Sequence, residues 1–278
     1  MSNNTVFVLV SDDGYLARAK KTIIDLRSRG MWFGDLVLIN VGQNPINPNF
    51  LDFYRIQEKR FPSIQEKNTL INEKLNFSPF LDSIDGREIT KINQWEKLHV
   101  FDPFFRKWER IVFLDAGLRI LDKVSETLLE VPWKGKLVAP NDGGNYISNN
   151  VDKLFNTQIS NQNKTKINQL MLETNNHELL SSSYFLNCIW IYDTSILEIV
   201  DKKELICGML EYPICKTNEM TLMNIYFHFK YHLWEEMPVR TSKGKILFEW
   251  CETNNPIASS WREYCCIKYP NTISFDDT

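Results

Sequence analysis

Val6-Phe7-Val8-Leu9-Val10, followed by Ser11-Asp12-Asp13-Gly14-Tyr15, is the stretch on which the fold turns. Five successive apolar residues leave no polar face, as expected of a strand buried on both sides in a parallel sheet. Ser11 to Gly14 break the run. Tyr15, Leu16, Ala19, Ile23 and Leu26 then recur at helical spacing up to a stop at Gly30. A second apolar run, Leu36-Val37-Leu38-Ile39, follows at once. Strand, turn, helix and strand in that order open a sheet with crossover helices.

Further along, Phe50 to Gln57 reads as helical, with Pro45, Pro48, Pro62 and Pro79 punctuating loops. A helix is expected from Ile92 to Phe101, ending before Pro103. Ile111-Val112-Phe113-Leu114 is a second clean buried strand, running into Asp115-Ala116-Gly117. A short strand is expected at Leu137-Val138-Ala139, and the Asn- and Gln-rich stretch from Asn141 to His177 reads as a long excursion with a helix around Ile167 to Glu173. Phe185 to Tyr192 carries a strand pattern, Thr194 to Val200 a helical one. Thr217 to about Trp234 is expected to be a long helix capped by Thr217 or Asn218. The last forty residues are aromatic and cysteine-rich and show no period. No repeat and no linker divides the chain, which is read as one domain.

With 278 residues the chain can bury a sizeable core. A net charge of −3 and no clustered Lys/Arg face give no electrostatic case for nucleic acid. No window approaches the apolar length of a membrane span, and the N-terminus lacks the pattern of a signal peptide. The six cysteines form no CxxC and read as thiols in a reducing compartment. A cytoplasmic location is the expectation.

Four short constellations can carry chemistry. Ligands of open α/β sheets bind outside the carboxyl ends of the strands. Ser11-Asp12-Asp13-Gly14-Tyr15 lies at such an end, where an aromatic stacks on a base or merely opens a helix. No GxGxxG is present. Asp115 ends the second buried strand, as a ligand for a hard cation that neutralises a diphosphate, or as a turn cap. Lys97 suits a phosphate as a point charge if it faces that edge, and is otherwise solvated. Glu219, near a helix N-terminus, is stabilised by the dipole and can face a sugar hydroxyl or serve only as a helix starter.

The order of these pieces resembles the glycogenin-like members of glycosyltransferase family 8. Their T-N-D-x-Y turn is matched by Ser11-Asp12-Asp13-Gly14-Tyr15, and their T-K-L-x-x-W/F helix by Glu96-Lys97-Leu98-His99-Val100-Phe101. The D-x-D at the end of the metal strand is matched by Asp115-Ala116-Gly117, the F-N-S-G-V strand by Phe185-Leu186-Asn187-Cys188-Ile189, and the D-Q-x-x-L-N helix by Glu219-Met220-Thr221-Leu222-Met223-Asn224. The likeness is colinear over roughly residues 5–227.

The resemblance implies an α/β fold of the Rossmann-like GT-A type, with a mixed, mainly parallel sheet flanked by helices, in which a nucleotide-binding half covers about 1–122 and an acceptor-side half about 123–278. It implies a retaining transfer of a hexose from a UDP-sugar to a hydroxyl of a glycan, protein or small molecule. Ser11 and Tyr15 would contact the base and Lys97 the phosphates. Asp115 would ligate Mn²⁺ or Mg²⁺, Asn187 and Glu219 would act at the donor sugar, and Asp142 would belong to the same pocket. The second Asp of D-x-D is Gly117, the Gln of D-Q is Met220, and the family's late H-x-G-x-x-K-P-W motif has no clear counterpart. His228 and His232 lie at helical spacing, on a helix expected elsewhere, and read as partly buried, while Lys243, Lys245 and Lys268 are candidate substitutes for the phosphate lysine of that motif. These departures favour an alternative, an inactive GT-A-like scaffold that binds carbohydrate or protein. A sugar-nucleotide pyrophosphorylase is disfavoured, because Ser11 to Gly14 is not a Gly-rich, Arg-containing loop.

Overall fold

The computed structural model describes residues 4–73, 91–142, 154–160, 163–250, 257–258 and 260–268. Pro79, Cys251, residues 143–153 of the Asn-rich excursion and residues 269–278 lie outside them.

The first strand is β1 (Thr5–Ser11), and every residue in it is buried. Val6, Val8 and Val10 pack into one apolar core, Phe7 and Leu9 into another. The period of two in a strand distributes successive side chains to opposite faces, so the uninterrupted apolar run is what two covered faces require. Helix α1 (Leu16–Ser28) follows, burying Ala19, Thr22, Ile23 and Leu26. Its start is braced by the Asp12 carboxylate, which accepts the Tyr15 N–H at 2.9 Å. At Gly30 a Cβ would stand 2.6 Å from the Leu26 carbonyl oxygen, so the chain can leave the helix this tightly only through glycine.

The remaining strands are β2 (Asp35–Asn40), β3 (Gln57–Lys59), β4 (Arg110–Leu114), β5 (Arg119–Ile120), β6 (Leu137–Ala139), β7 (Ile189–Asp193), β8 (Trp234–Glu236), β9 (Ile246–Trp250) and β10 (Tyr264–Lys268). Seven of them form one sheet in the order β3-β2-β1-β4-β7-β6-β8, while β5, β10 and β9 form a second. Strands β3, β2, β1 and β4 are mutually parallel, and β7 runs antiparallel between β4 and β6. The mixed, mainly parallel sheet agrees with the expected fold class.

The helices are α2 (Pro48–Phe53), α3 (Glu66–Glu73), α4 (Lys164–Glu173), α5 (Lys202–Glu211) and α6 (Glu219–Met223). Several expectations are corrected. The Phe50–Gln57 helix stops at Phe53 and the chain turns into β3, with Arg55 in the left-handed region (φ 49°). Residues Lys91–Phe101 and Thr194–Glu198 are 3₁₀ rather than α. The long helix read over Thr217–Trp234 begins at Glu219, becomes a π-helix over Asn224–Lys230 and gives way to β8. Helix α5 was not anticipated.

The order reverses beside β1: the chain proceeds from β1 outward through β2 to β3, then returns to place β4 on the other side of β1. At such a switch point two connections diverge and leave a crevice at the carboxyl edge of the sheet.

Candidate functional site

The crevice is present at that edge of the sheet. Ser11, Asp12 and Tyr15 line it from the turn after β1, Asn93, Gln94 and Lys97 from the 3₁₀ segment, Asp115 and Ala116 from the end of β4, and Asn187 and Cys188 from the approach to β7. Trp250, at the end of β9, also lines it.

Local structure explains each placement. Because β7 is antiparallel to β4, its beginning lies beside the end of β4, and the Asp115 N–H donates to the Cys188 carbonyl at 2.9 Å. Asn224 secures that approach. Its amide oxygen accepts the Phe185 N–H at 2.9 Å, while its amide nitrogen donates to the Phe185 and Met220 carbonyls at 3.0 and 2.9 Å. The π-helix thus starts at a residue clamped to the segment that leads into β7. On the β1 side of the cleft, Tyr15 is half-buried, the Arg18 guanidinium is 5.8 Å from its ring centre, and Asn93 donates to the Asp12 carboxylate at 2.9 Å.

The charged centre joins residues far apart in sequence. Lys97 Nζ is 3.3 Å from Asp115 Oδ1 and 3.1 Å from Glu219 Oε1. Asn187 donates its amide to Glu219 Oε1 at 2.5 Å. On the other side of Asp115, Lys268 Nζ donates to Oδ2 at 2.8 Å and to the Ala116 carbonyl at 2.5 Å. Burial works against the Asp115 carboxylate, but Lys268 and Lys97 outweigh it and hold its pKa below the ordinary value. Burial also opposes the Lys97 ammonium, and Asp115 and Glu219 override it, raising the Lys97 pKa. For Glu219 burial wins and lifts the pKa despite Lys97. Its Oε2 is buried without a hydrogen-bond partner among the described residues. Just before it, Asn218 holds a left-handed φ of 54°, a conformation costing on the order of 1–3 kcal/mol that directs the chain into the site.

Ser11, Tyr15, Lys97, Asp115 and Asn187 are therefore brought to one cleft, and Glu219 stands behind its wall, tied to Lys97 and Asn187. Asp142 is not in the lining: its carboxylate accepts the Tyr184 hydroxyl. Nor do His228 and His232 reach the cleft. His228 packs against Phe229 and Trp234, and burial lowers its pKa to about 4. Lys243 and Lys245 pair with Glu126 and Asp122 away from the cleft. Asp12, Asn93, Gln94 and Trp250 were not singled out from sequence. Asp12, inside the turn that carries Ser11 and Tyr15, and Asn93 and Gln94, on the segment that carries Lys97, had a signal that could have found them; Trp250 had none.

The donor set does not fit a divalent cation held by the protein alone. Both Asp115 oxygens face ammonium groups, and among the described residues no three His, Cys, Asp or Glu side chains gather for a metal. Gly117, where the second acid would stand, has φ 88°, and a Cβ there would lie 3.4 Å from Arg18 Cδ. An L-residue there is strained.

No protein-family model and no curated protein sequence matches this chain. Solved structures do match its fold. The bifunctional glycosyltransferase WbbM, in its apo form, superposes on 97% of this chain with a TM-score of 0.58 and 13% identity. This chain covers 46% of the WbbM chain, less than half its length. An active-site mutant of LgtC superposes on 80% of this chain, and 70% of its own length is covered, with a TM-score of 0.51 and 12% identity. The fold is that of GT-A glycosyltransferases.

Proposed function

We propose that this chain is a glycosyltransferase that moves a hexose from a UDP-sugar to a hydroxyl acceptor with retention at the anomeric carbon. One observation carries the reading: Ser11, Tyr15, Lys97, Asp115 and Asn187 converge on a single cleft at the switch point of a GT-A sheet. Tyr15 offers a ring for the uracil, with Ser11 and Asp12 beside it. Lys97 neutralises the diphosphate. Asn187, oriented by Glu219, faces the donor sugar. In the reaction the bond from C1 to the diphosphate oxygen breaks, the electron pair leaves on UDP, and the acceptor oxygen bonds to C1 as its proton is lost. Preorganised charge at the departing diphosphate is the largest contribution such a site can make.

Stacking of a base on an aromatic is worth about 1–3 kcal/mol. Tyr15→Ala is therefore expected to weaken uridine and UDP alike by roughly ten- to a hundredfold, measured by calorimetry. A variant that binds both as tightly as wild type removes Tyr15 from the base site. The same titrations with a nucleotide-sugar panel identify the donor class, and release of UDP in the presence of acceptors measures turnover. One observation favours an inactive binding scaffold instead, namely the engagement of both Asp115 oxygens by lysines. Nucleotide binding with no release of UDP from any sugar nucleotide would select it.

A further inference from the structure

Lys268 ends a strand of the second sheet, yet its ammonium is seated at the carboxyl edge of the first. Its partners are the two residues that follow β4: it lies 2.8 Å from Asp115 Oδ2 and 2.5 Å from the Ala116 carbonyl oxygen, with 2% of its side chain exposed. A carboxylate oxygen and a carbonyl oxygen are the donors a hard cation selects. The ammonium therefore occupies the place on Asp115 where such an ion would bind. Lys97 takes the other carboxylate oxygen at 3.3 Å and also faces the cleft. Two ammonium groups carry the same formal charge as one divalent ion, and Asp115 holds both. Gly117 supplies no second carboxylate, and its φ of 88° disfavours replacement by one.

We propose that Lys97 and Lys268, held on Asp115, replace the divalent cation at this site, so that it binds the donor's diphosphate without a metal ion. The inference rests on the uridine-diphosphate reading above and specifies its electrostatics. Lys97 meets the diphosphate directly. Lys268 neutralises Asp115 from behind, where water is excluded and charge is weakly screened. Without Lys268, the Asp115 carboxylate would confront the phosphates with its own negative charge.

Calorimetry of the full-length protein with uridine and with UDP, in EDTA and in excess Mn²⁺, tests this. In wild type, UDP is expected to bind at least tenfold more tightly than uridine in EDTA, with less than a twofold change on adding Mn²⁺. Lys268→Ala should weaken UDP at least tenfold in EDTA while leaving uridine within twofold, and Lys268→Arg should retain UDP binding. The uridine arm also reports whether each variant is folded, and the wild-type arms need no variant. UDP that binds no more tightly than uridine until Mn²⁺ is added overturns the inference and leaves the nucleotide reading standing. So does a folded Lys268→Ala that binds UDP like wild type in EDTA. Absence of uridine and UDP binding in both conditions overturns the nucleotide reading, and the inference with it.

Discussion

Glu96 shows how a single residue can brace the site without touching it. It precedes Lys97 on the 3₁₀ segment, and its carboxylate accepts from Ser63 Oγ at 2.6 Å, His99 Nε2 at 2.7 Å and Lys67. Burial resists its ionisation, but the hydrogen bonds from His99, Lys67 and Ser63 prevail and hold its pKa at about 2. A carboxyl with a folded pKa below its unfolded one contributes stability above the unfolded value. That contribution is lost as pH falls toward the folded one. For Glu96 the window runs from 4.5 down to about 2, and crossing it removes about 3 kcal/mol. Urea midpoints at pH 6 and pH 3 should therefore differ more in wild type than in Glu96→Gln. Equal pH dependence in the two proteins would show that Glu96 does not contribute this stability.

At the scale of elements, the apolar support beneath the site comes from β4, β7 and the helices behind them. Phe113 of β4 stacks on Trp190 of β7, with ring centres 3.7 Å apart, and Trp190 is parallel to Phe101 at the end of the 3₁₀ segment. Lys97 Nζ lies 5.9 Å from the Phe113 ring centre, so the aromatic stack floors the charged centre. Helix α5 packs on the π-helix at Gly208, where a Cβ would stand 2.5 Å from the Tyr226 ring. Gly208→Ala is expected to force Tyr226 aside at a cost of about 1–3 kcal/mol, read as a lower urea midpoint. A variant as stable as wild type would mean that Tyr226 has room to move. Five cysteines, Cys188, Cys207, Cys215, Cys265 and Cys266, are free thiols, so no disulfide among them ties these elements together. Among the described residues no helix is long and apolar enough to cross a membrane.

For the whole molecule, the consequence of the architecture is that two sheets meet at one carboxylate. Asp115 follows β4 of the large sheet, and Lys268 ends β10 of the small one, which pairs with β5 just downstream of Asp115. A buried ion pair between Arg119 of β5 and Asp25 of α1 ties the small sheet to the first helix. Ligand at the cleft should therefore be felt in both sheets. Hydrogen exchange with saturating UDP is expected to slow the amides of β10 along with those of the turn after β1. Protection confined to the large sheet would detach β10 from the ligand site. Ligand at a hundredfold excess over its dissociation constant should also raise overall stability by about 2.7 kcal/mol.

The amino-acid sequence by itself determined the strands β1, β2 and β4 and the turn that carries Ser11 and Tyr15. A strand covered on both faces has to be apolar at consecutive positions, and that requirement is local. It also placed Lys97, Asp115, Asn187 and Glu219 in the order on which the resemblance to glycosyltransferase family 8 rests. The C-terminal strands were not legible. Glu249 in β9 and Lys268 in β10 are buried charges that interrupt any apolar period, stabilised by partners elsewhere in the chain. The π-helical turn, the left-handed Asn218 and the Tyr184 contact that takes Asp142 out of the cleft were equally invisible, since each depends on a neighbour distant in sequence. Only the tertiary structure could decide what faces Asp115. Lys268 lies 153 positions away in the chain, and ion pairing depends on separation in space, which no local pattern of residues encodes.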